Sequence, residues 1–247
     1  MSGEITALLL PLSLMLGAIL YTAVGHAGAS AYIAIMTLFG LSAGVIKPTA
    51  LTLNILVSAY ISFRYLRSGF FNRRVAWVVI AGAIPAAFLG GYLQLPADYY
   101  RPLVGVVLLL SAVRLVSIPR TEAYDVATPP PVAVGVGTGA AIGLLSGLTG
   151  TGGGIFLSPI LVLRRWTTIQ QASGTAAVFI FANSVSGLLG NLSAVRALPP
   201  DLPLYAVAVL LGALIGTRLG IRRFDSRGLR LCLAAVLLVA GLKFLFG

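Results

Sequence analysis

Long apolar runs recur along the whole chain, separated only by short polar connections, and nothing else in the sequence constrains the fold so strongly. Ten such segments span about residues 5–24, 29–44, 48–66, 75–94, 102–118, 132–149, 154–164, 171–190, 203–221 and 228–246. A helix that crosses a bilayer needs roughly 20 mainly apolar residues, and all but the second and seventh segments approach that length. Only 9% of the residues are charged, against about a quarter in a soluble domain. The expectation is an all-α integral membrane protein with about ten transmembrane segments. The opening MSGEITALLL has neither a basic n-region nor a small-residue cleavage pattern, so it reads as a first spanning helix and not as a removed signal. Cys232 is the only cysteine, which excludes a disulfide framework and a cysteine-rich metal site.

The net charge of +11 would suit a nucleic-acid binder, but the positive-inside rule accounts for it without nucleic acid. With ten crossings, and the loop of Arg67, Arg73 and Arg74 facing the cytoplasm, thirteen of the seventeen basic residues fall inside. Lys47, Arg101, Arg196 and Lys243 fall outside. If segments two and seven were re-entrant hairpins, the split would be nine against eight, which is no bias. Ten crossings therefore follow, with both termini outside.

Five segments lie on each side of the polar stretch PRTEAYDVATPPP, giving a first repeat at 1–118, a cytoplasmic linker at 119–131 and a second repeat at 132–247. A shift of 126 residues lays Gly17 on Gly143, Gly90 on Gly216 and Arg101 on Arg227. Asn54, Ser58 and Ser62 correspond to Asn183, Gly187 and Asn191 at a shift nearer 129. Five crossings per half is an odd number, so the halves are expected in opposite orientations. Inverted repeats that meet at the midplane are a recurrent transporter plan.

Glycines mark two kinds of place. Gly135, Gly139, Gly143 and Gly147 recur every four residues, the pattern of a face that lets another helix approach closely. The run GTGGG at 150–154 covers every face of a helix and so predicts a break, tolerated at membrane depth only where protein or a watery cavity serves the backbone. The equivalent place in the first half is GHAGAS, residues 25–30. Half-helices starting after these breaks would point positive dipole ends and free N–H groups inward, a cradle for an anion. Candidate binding residues are His26, Gly28 and Ser30 in the first break and Thr151, Gly152 and Gly153 in the second. The polar residues Thr49, Asn54, Ser173, Gly174, Thr175 and Asn183 open or line segments three and eight.

No acid falls in a predicted span; the six lie in loops or termini. Proton and cation pathways normally place a carboxylate at membrane depth, which leaves His26 as the one side chain there that titrates near neutral pH. GLSAG (40–44) matches a nucleophile elbow and GVGTGA (135–140) a dinucleotide fingerprint, but neither has the strand–turn–helix setting that its chemistry requires. No metal, cofactor or enzymatic activity is expected.

The stretches GLLSGLTGTGGGIFLSPILVL and QQASGTAAVFIFANSVSGLLGNL, with the weaker first-half copy holding GHAGAS and PTALTLN, resemble the sulfite exporter TauE/SafE family of membrane anion transporters. The resemblance implies movement of sulfite, sulfonates or related organosulfur anions across a bacterial inner membrane. The partners expected are a small anionic substrate and the lipid bilayer. An anion channel and a membrane scaffold without substrate are the alternatives.

Overall fold

The computed structural model describes residues 2–23, 25–93, 95–117, 128–192, 198–221 and 226–246. Within them the chain forms ten α-helices and no strand: α1 (Ser2–Ala23), α2 (Ala29–Leu38), α3 (Ala43–Arg67), α4 (Arg73–Tyr92), α5 (Ala97–Val116), α6 (Val132–Thr149), α7 (Gly154–Leu163), α8 (Ile169–Gly190), α9 (Leu202–Ile221) and α10 (Ser226–Phe246). Among the described residues, five stretches are long and apolar enough to cross a membrane: Ala43–Arg67, Arg73–Tyr92, Val132–Thr149, Gln171–Gly190 and Leu202–Leu219. Most of the linker, Arg196, Arg222 and Arg223 lie outside the described residues.

Local chemistry sets several boundaries. Asn72 caps α4 by accepting from the Val75 amide, and Thr168 caps α8 by accepting from Gln171. α3 begins five residues before the expected segment because the Ser42 carbonyl already accepts from the amides of Val45 and Ile46. Pro48 therefore lies inside the helix instead of opening it, and Lys47 becomes a buried helical residue.

Glycine seams hold the helices together. A Cβ at Gly139, Gly143 or Gly147 of α6 would overlap the carbonyls of Val79, Ala83 and Ala87 on α4, while Gly82 and Gly90 of α4 abut the α6 backbone in return. Gly212 and Gly216 of α9 press on Met15 and Ile19 of α1 in the same manner. Gly105 of α5 and Gly241 of α10 meet each other, and Gly91 of α4 meets Gly187 of α8. Without water to drive association, such close backbone packing is what holds membrane helices together.

These contacts also fix direction. Residues 79, 83 and 87 of α4 climb with 139, 143 and 147 of α6, so the two helices are parallel. Ile84 and Phe88 climb likewise with Ser186 and Gly190, so α4 and α8 are parallel. Contacts of Asn54 with Ser184 and of Tyr65 with Gly174 make α3 and α8 antiparallel. Because α6 and α8 run the same way, residues 150–168 carry the chain back along the bundle; a re-entrant hairpin there would have left them opposed. Large apolar side chains such as Leu8, Trp77, Leu89, Val113, Val207 and Val239 stay exposed on the outer faces, as a multi-pass membrane protein requires.

Candidate functional site

α3 and α8 form the antiparallel pair on which the site is built. The first break approaches from the Arg67 end of α3. A Cβ at Gly25 would lie 3.1 Å from Ser173 Oγ and 3.8 Å from the Tyr65 hydroxyl, and by Ala29 the chain has reached Asn54, half-way along α3. The second break approaches from the other end. Gly150 lies against Lys47, Gly152 against Asn54 and Ser184, and Gly153 against Phe179 and Asn183. α2 then runs toward the start of α3, and α7 toward the start of α8. Their N-termini are thus turned toward each other in the interior, with His26 next to Gly154.

Both starts use glycine in the left-handed region, Gly28 at φ 107° and Gly153 at φ 79°. This backbone costs other L-residues about 1–2 kcal/mol, and here space is lacking as well. A Cβ at Gly28 would sit 2.8 Å from the Tyr32 ring, and one at Gly153 would sit 2.8 Å from the Ile142 side chain. Neither cap glycine brings a side chain of its own to the first amides of its half-helix.

Several carbonyls in and beside the breaks are occupied. Tyr32 Oη donates to Ala27 O (2.8 Å), Tyr100 Oη to Thr149 O (3.2 Å), and Asn183 Nδ2 to Gly152 O (3.2 Å). The Gly28 carbonyl accepts from Tyr32 N and the Gly153 carbonyl from Phe156 N and Leu157 N. The first amides of a helix have no intrahelical acceptor, so the two starts bring N–H donors to this centre beyond Ala29 N, which Asn54 Oδ1 already holds. Each half-helix start adds about half a positive charge. The acids of the described segments, Glu4, Asp98 and Asp201, all sit at or just before the starts of outer helices.

The two asparagines are placed alike but bonded differently. Asn54 Oδ1 accepts from Ala29 N (3.2 Å), capping α2, while its Nδ2 donates to Ser184 Oγ (2.8 Å). Asn183 Nδ2 donates to Ser146 Oγ (2.7 Å) and to Gly152 O, and its buried Oδ1 has no hydrogen-bond partner. Thr151 Oγ1 shares a 3.0 Å hydrogen bond with Thr149 Oγ1.

Of the residues expected from sequence, His26, Gly28, Asn54, Thr151, Gly152, Gly153 and Asn183 converge on this centre. Ser30 sits in the first turn of α2, with its hydroxyl bonded to Tyr21 Oη at 2.7 Å. His26 also meets the Tyr21 ring edge-on, with centroids 6.5 Å apart. Thr49 is fully buried near the opposite end of α3, and its Oγ1 has no hydrogen-bond partner. Ser173, Gly174 and Thr175 lie at the start of α8, away from the centre. Gly174 abuts the Phe70 carbonyl, Thr175 Oγ1 accepts from Asn72 N (3.3 Å), and Ser173 faces Gly25. Ser146, Thr149, Tyr32, Tyr100 and Ser184 join the centre without having been singled out. Ser184 follows Asn183 directly, and the two serines are legible only once α3, α6 and α8 are known to meet. A groove between α4 and α8 is lined by Ile84, Pro85, Phe88, Leu89, Phe181 and other mainly apolar residues. It offers an anion nothing to bind.

Comparison with known proteins agrees with this architecture. Residues 9–244 match the family model described as sulfite exporter TauE/SafE. The chain is 41% identical over 232 residues to the "Probable membrane transporter protein y4hK" of Sinorhizobium fredii, covering 93% of this chain and 94% of that protein. It is 30% identical over 115 residues to a "Probable membrane transporter protein" of Xylella fastidiosa, covering 46% of this chain and 44% of that one. No solved structure matches the chain at a significant level.

Proposed function

Because the chain belongs to the sulfite exporter TauE/SafE family and is a membrane transporter, we propose that it carries small sulfur-containing anions across the bacterial inner membrane, binding them between α2 and α7. The observation that carries this reading is the pair of glycine-capped half-helix starts turned toward each other, with the carbonyls of Ala27, Gly28, Gly152 and Gly153 tied up and no carboxylate near among the described residues. An anion there meets N–H donors from two dipole ends in a dry setting, where such groups bind strongly. The unpartnered Asn183 Oδ1 adds one acceptor. It suits an anion that itself carries a donor, such as hydrogensulfite or the ammonium group of an aminosulfonate.

The pairing of helices supports two inverted repeats. α4 on α6 becomes α9 on α1 when each helix is replaced by the one five places along, and α5 on α10 maps onto itself. In this reading both termini face outward and Arg64, Arg67, Arg73 and Arg74 face the cytoplasm.

Thermal unfolding of the purified protein in detergent tests the binding claim, with sulfite, sulfate, thiosulfate, sulfoacetate and carboxylates each added in turn. A ligand at a hundred times its Kd stabilises by about 2.7 kcal/mol, a rise of about 5–10 °C for a chain of this size. The expected result is such a rise for one or more sulfur oxyanions and a smaller one for carboxylates. A flat response to every anion contradicts the reading.

A further inference from the structure

The chain has two lysines, and the structure treats them in opposite ways. Lys243 is exposed, and its ammonium caps the end of α2, donating to Thr37 O at 2.8 Å and to Leu38 O at 3.3 Å. Lys47 is only 7% exposed, inside α3. Its ammonium reaches the carbonyls of Gly90 and Gly91 at 3.3 and 3.5 Å, whereas charge-assisted hydrogen bonds ordinarily close to about 2.7–2.9 Å. No acid lies on α3, on α4 or in either break. A buried charge is costly unless it is paired, and two distant neutral carbonyls serve three N–H donors poorly.

The location gives this charge a use. The stem of Lys47 lies along the second break: a Cβ at Gly150 would be 3.2 Å from Lys47 Cγ and 3.4 Å from its carbonyl oxygen. Gly150 is where the chain leaves α6, ahead of Thr151, Gly152 and the start of α7. Resting on the anion reading above, we propose that Lys47 is the counter-charge that draws the anion into the second break and decides how tightly it is held. When the anion reaches the Gly150–Thr151 backbone, the outer bonds of the lysine rotate and the ammonium exchanges the Gly90 and Gly91 carbonyls for the ligand. The corresponding mouth of the first break, at Gly25, has the neutral Ser173 at the matching place, so the two approaches to the centre are unequal.

The test uses the full chain in proteoliposomes with radiolabelled sulfite and thiosulfate. Lys47→Gln is expected to raise the concentration for half-maximal flux at least tenfold, with its unfolding temperature little changed. Lys47→Arg, which keeps the charge, is expected to stay within about threefold of the unaltered chain. A second measurement needs no variant. Reductive methylation of Lys47, followed by peptide mass, is expected to slow at least fivefold at saturating thiosulfate, which unlike sulfite does not consume the formaldehyde, while the exposed Lys243 is modified at an unchanged rate. An unchanged half-saturation in Lys47→Gln, or methylation of Lys47 indifferent to thiosulfate in a chain that carries it, overturns the proposal and leaves Lys47 as a cap on α4. If the unaltered chain moves neither anion, the transport reading falls and this proposal with it.

Discussion

Gly152 and Asn54 lie on opposite halves of the chain, and the structure makes a quantitative claim about them. A Cβ at Gly152 would collide with Asn54 Nδ2 and come within 3.2 Å of Ser184 Oγ, at a backbone φ of 74°. Gly152→Ala therefore has two costs. The left-handed backbone costs about 1–2 kcal/mol. Displacing Asn54 loses its bonds to Ala29 N and Ser184 Oγ, each contributing about 1 kcal/mol. The sum is about 3–4 kcal/mol. Gly40→Ala isolates the first cost, because Gly40 has φ 80° and nothing within 4 Å of the added carbon. At about 2–4 °C per kcal/mol, Gly152→Ala should lower the unfolding temperature by about 6–16 °C and Gly40→Ala by about 2–8 °C. In an Asn54→Ala background those bonds are already gone, so Gly152→Ala should cost only its backbone share. The double-mutant cycle should thus show a coupling of about 2 kcal/mol. Additive effects would mean that the two breaks do not meet through Asn54, and the geometry of the centre would be refuted.

Gly139→Ala should cause loss of expression and assembly, because its Cβ would fall on the Val79 carbonyl, part of a helix backbone that cannot yield cheaply; normal yield with normal unfolding would argue against the seam. Tags at both termini should be accessible from outside intact inner-membrane vesicles of native orientation, as the thirteen-to-four distribution of basic residues requires; protection of either end reverses or removes the ten-crossing topology. Any proton dependence of transport should disappear in His26→Gln, since no carboxylate of the described residues shares the interior with it; proton-driven flux that survives would place the coupling group elsewhere.

Helix positions were legible because each apolar run is bounded by polar or glycine punctuation: expected segments at 132–149 and 154–164 became Val132–Thr149 and Gly154–Leu163. The glycines of α6 were legible for a similar reason, since a four-residue spacing has meaning only on a helix face. Lys47 was not legible. Pro48 is a natural helix opener, which put the lysine in a loop, but the Ser42 carbonyl starts the helix five residues earlier and carries Lys47 into the interior. Ser173 and Thr175 look like ligand donors from their place beside a break, yet sequence distance does not reveal which end of an antiparallel pair a residue occupies. They lie with Tyr65 and Asn72 at the far end of α3, while Asn54, one long helix away in sequence, reaches the centre. Partners such as Ser146 and Ser184 depend wholly on how three helices meet, and a single sequence holds no record of that.

The central claim is that the facing starts of α2 and α7 carry an anion and move its charge. Proteoliposomes loaded with radiolabelled sulfite, their voltage set by a potassium gradient and valinomycin, test it most directly. A potential of 100 mV is equivalent to about 2.3 kcal/mol per charge, about a 50-fold gradient of a monoanion. Efflux should accelerate when the interior is made negative, slow when it is made positive, and be lost in Gly153→Leu, which fills the cap of α7. Sulfite flux indifferent to voltage, or equal in Gly153→Leu protein of normal stability, would contradict the account.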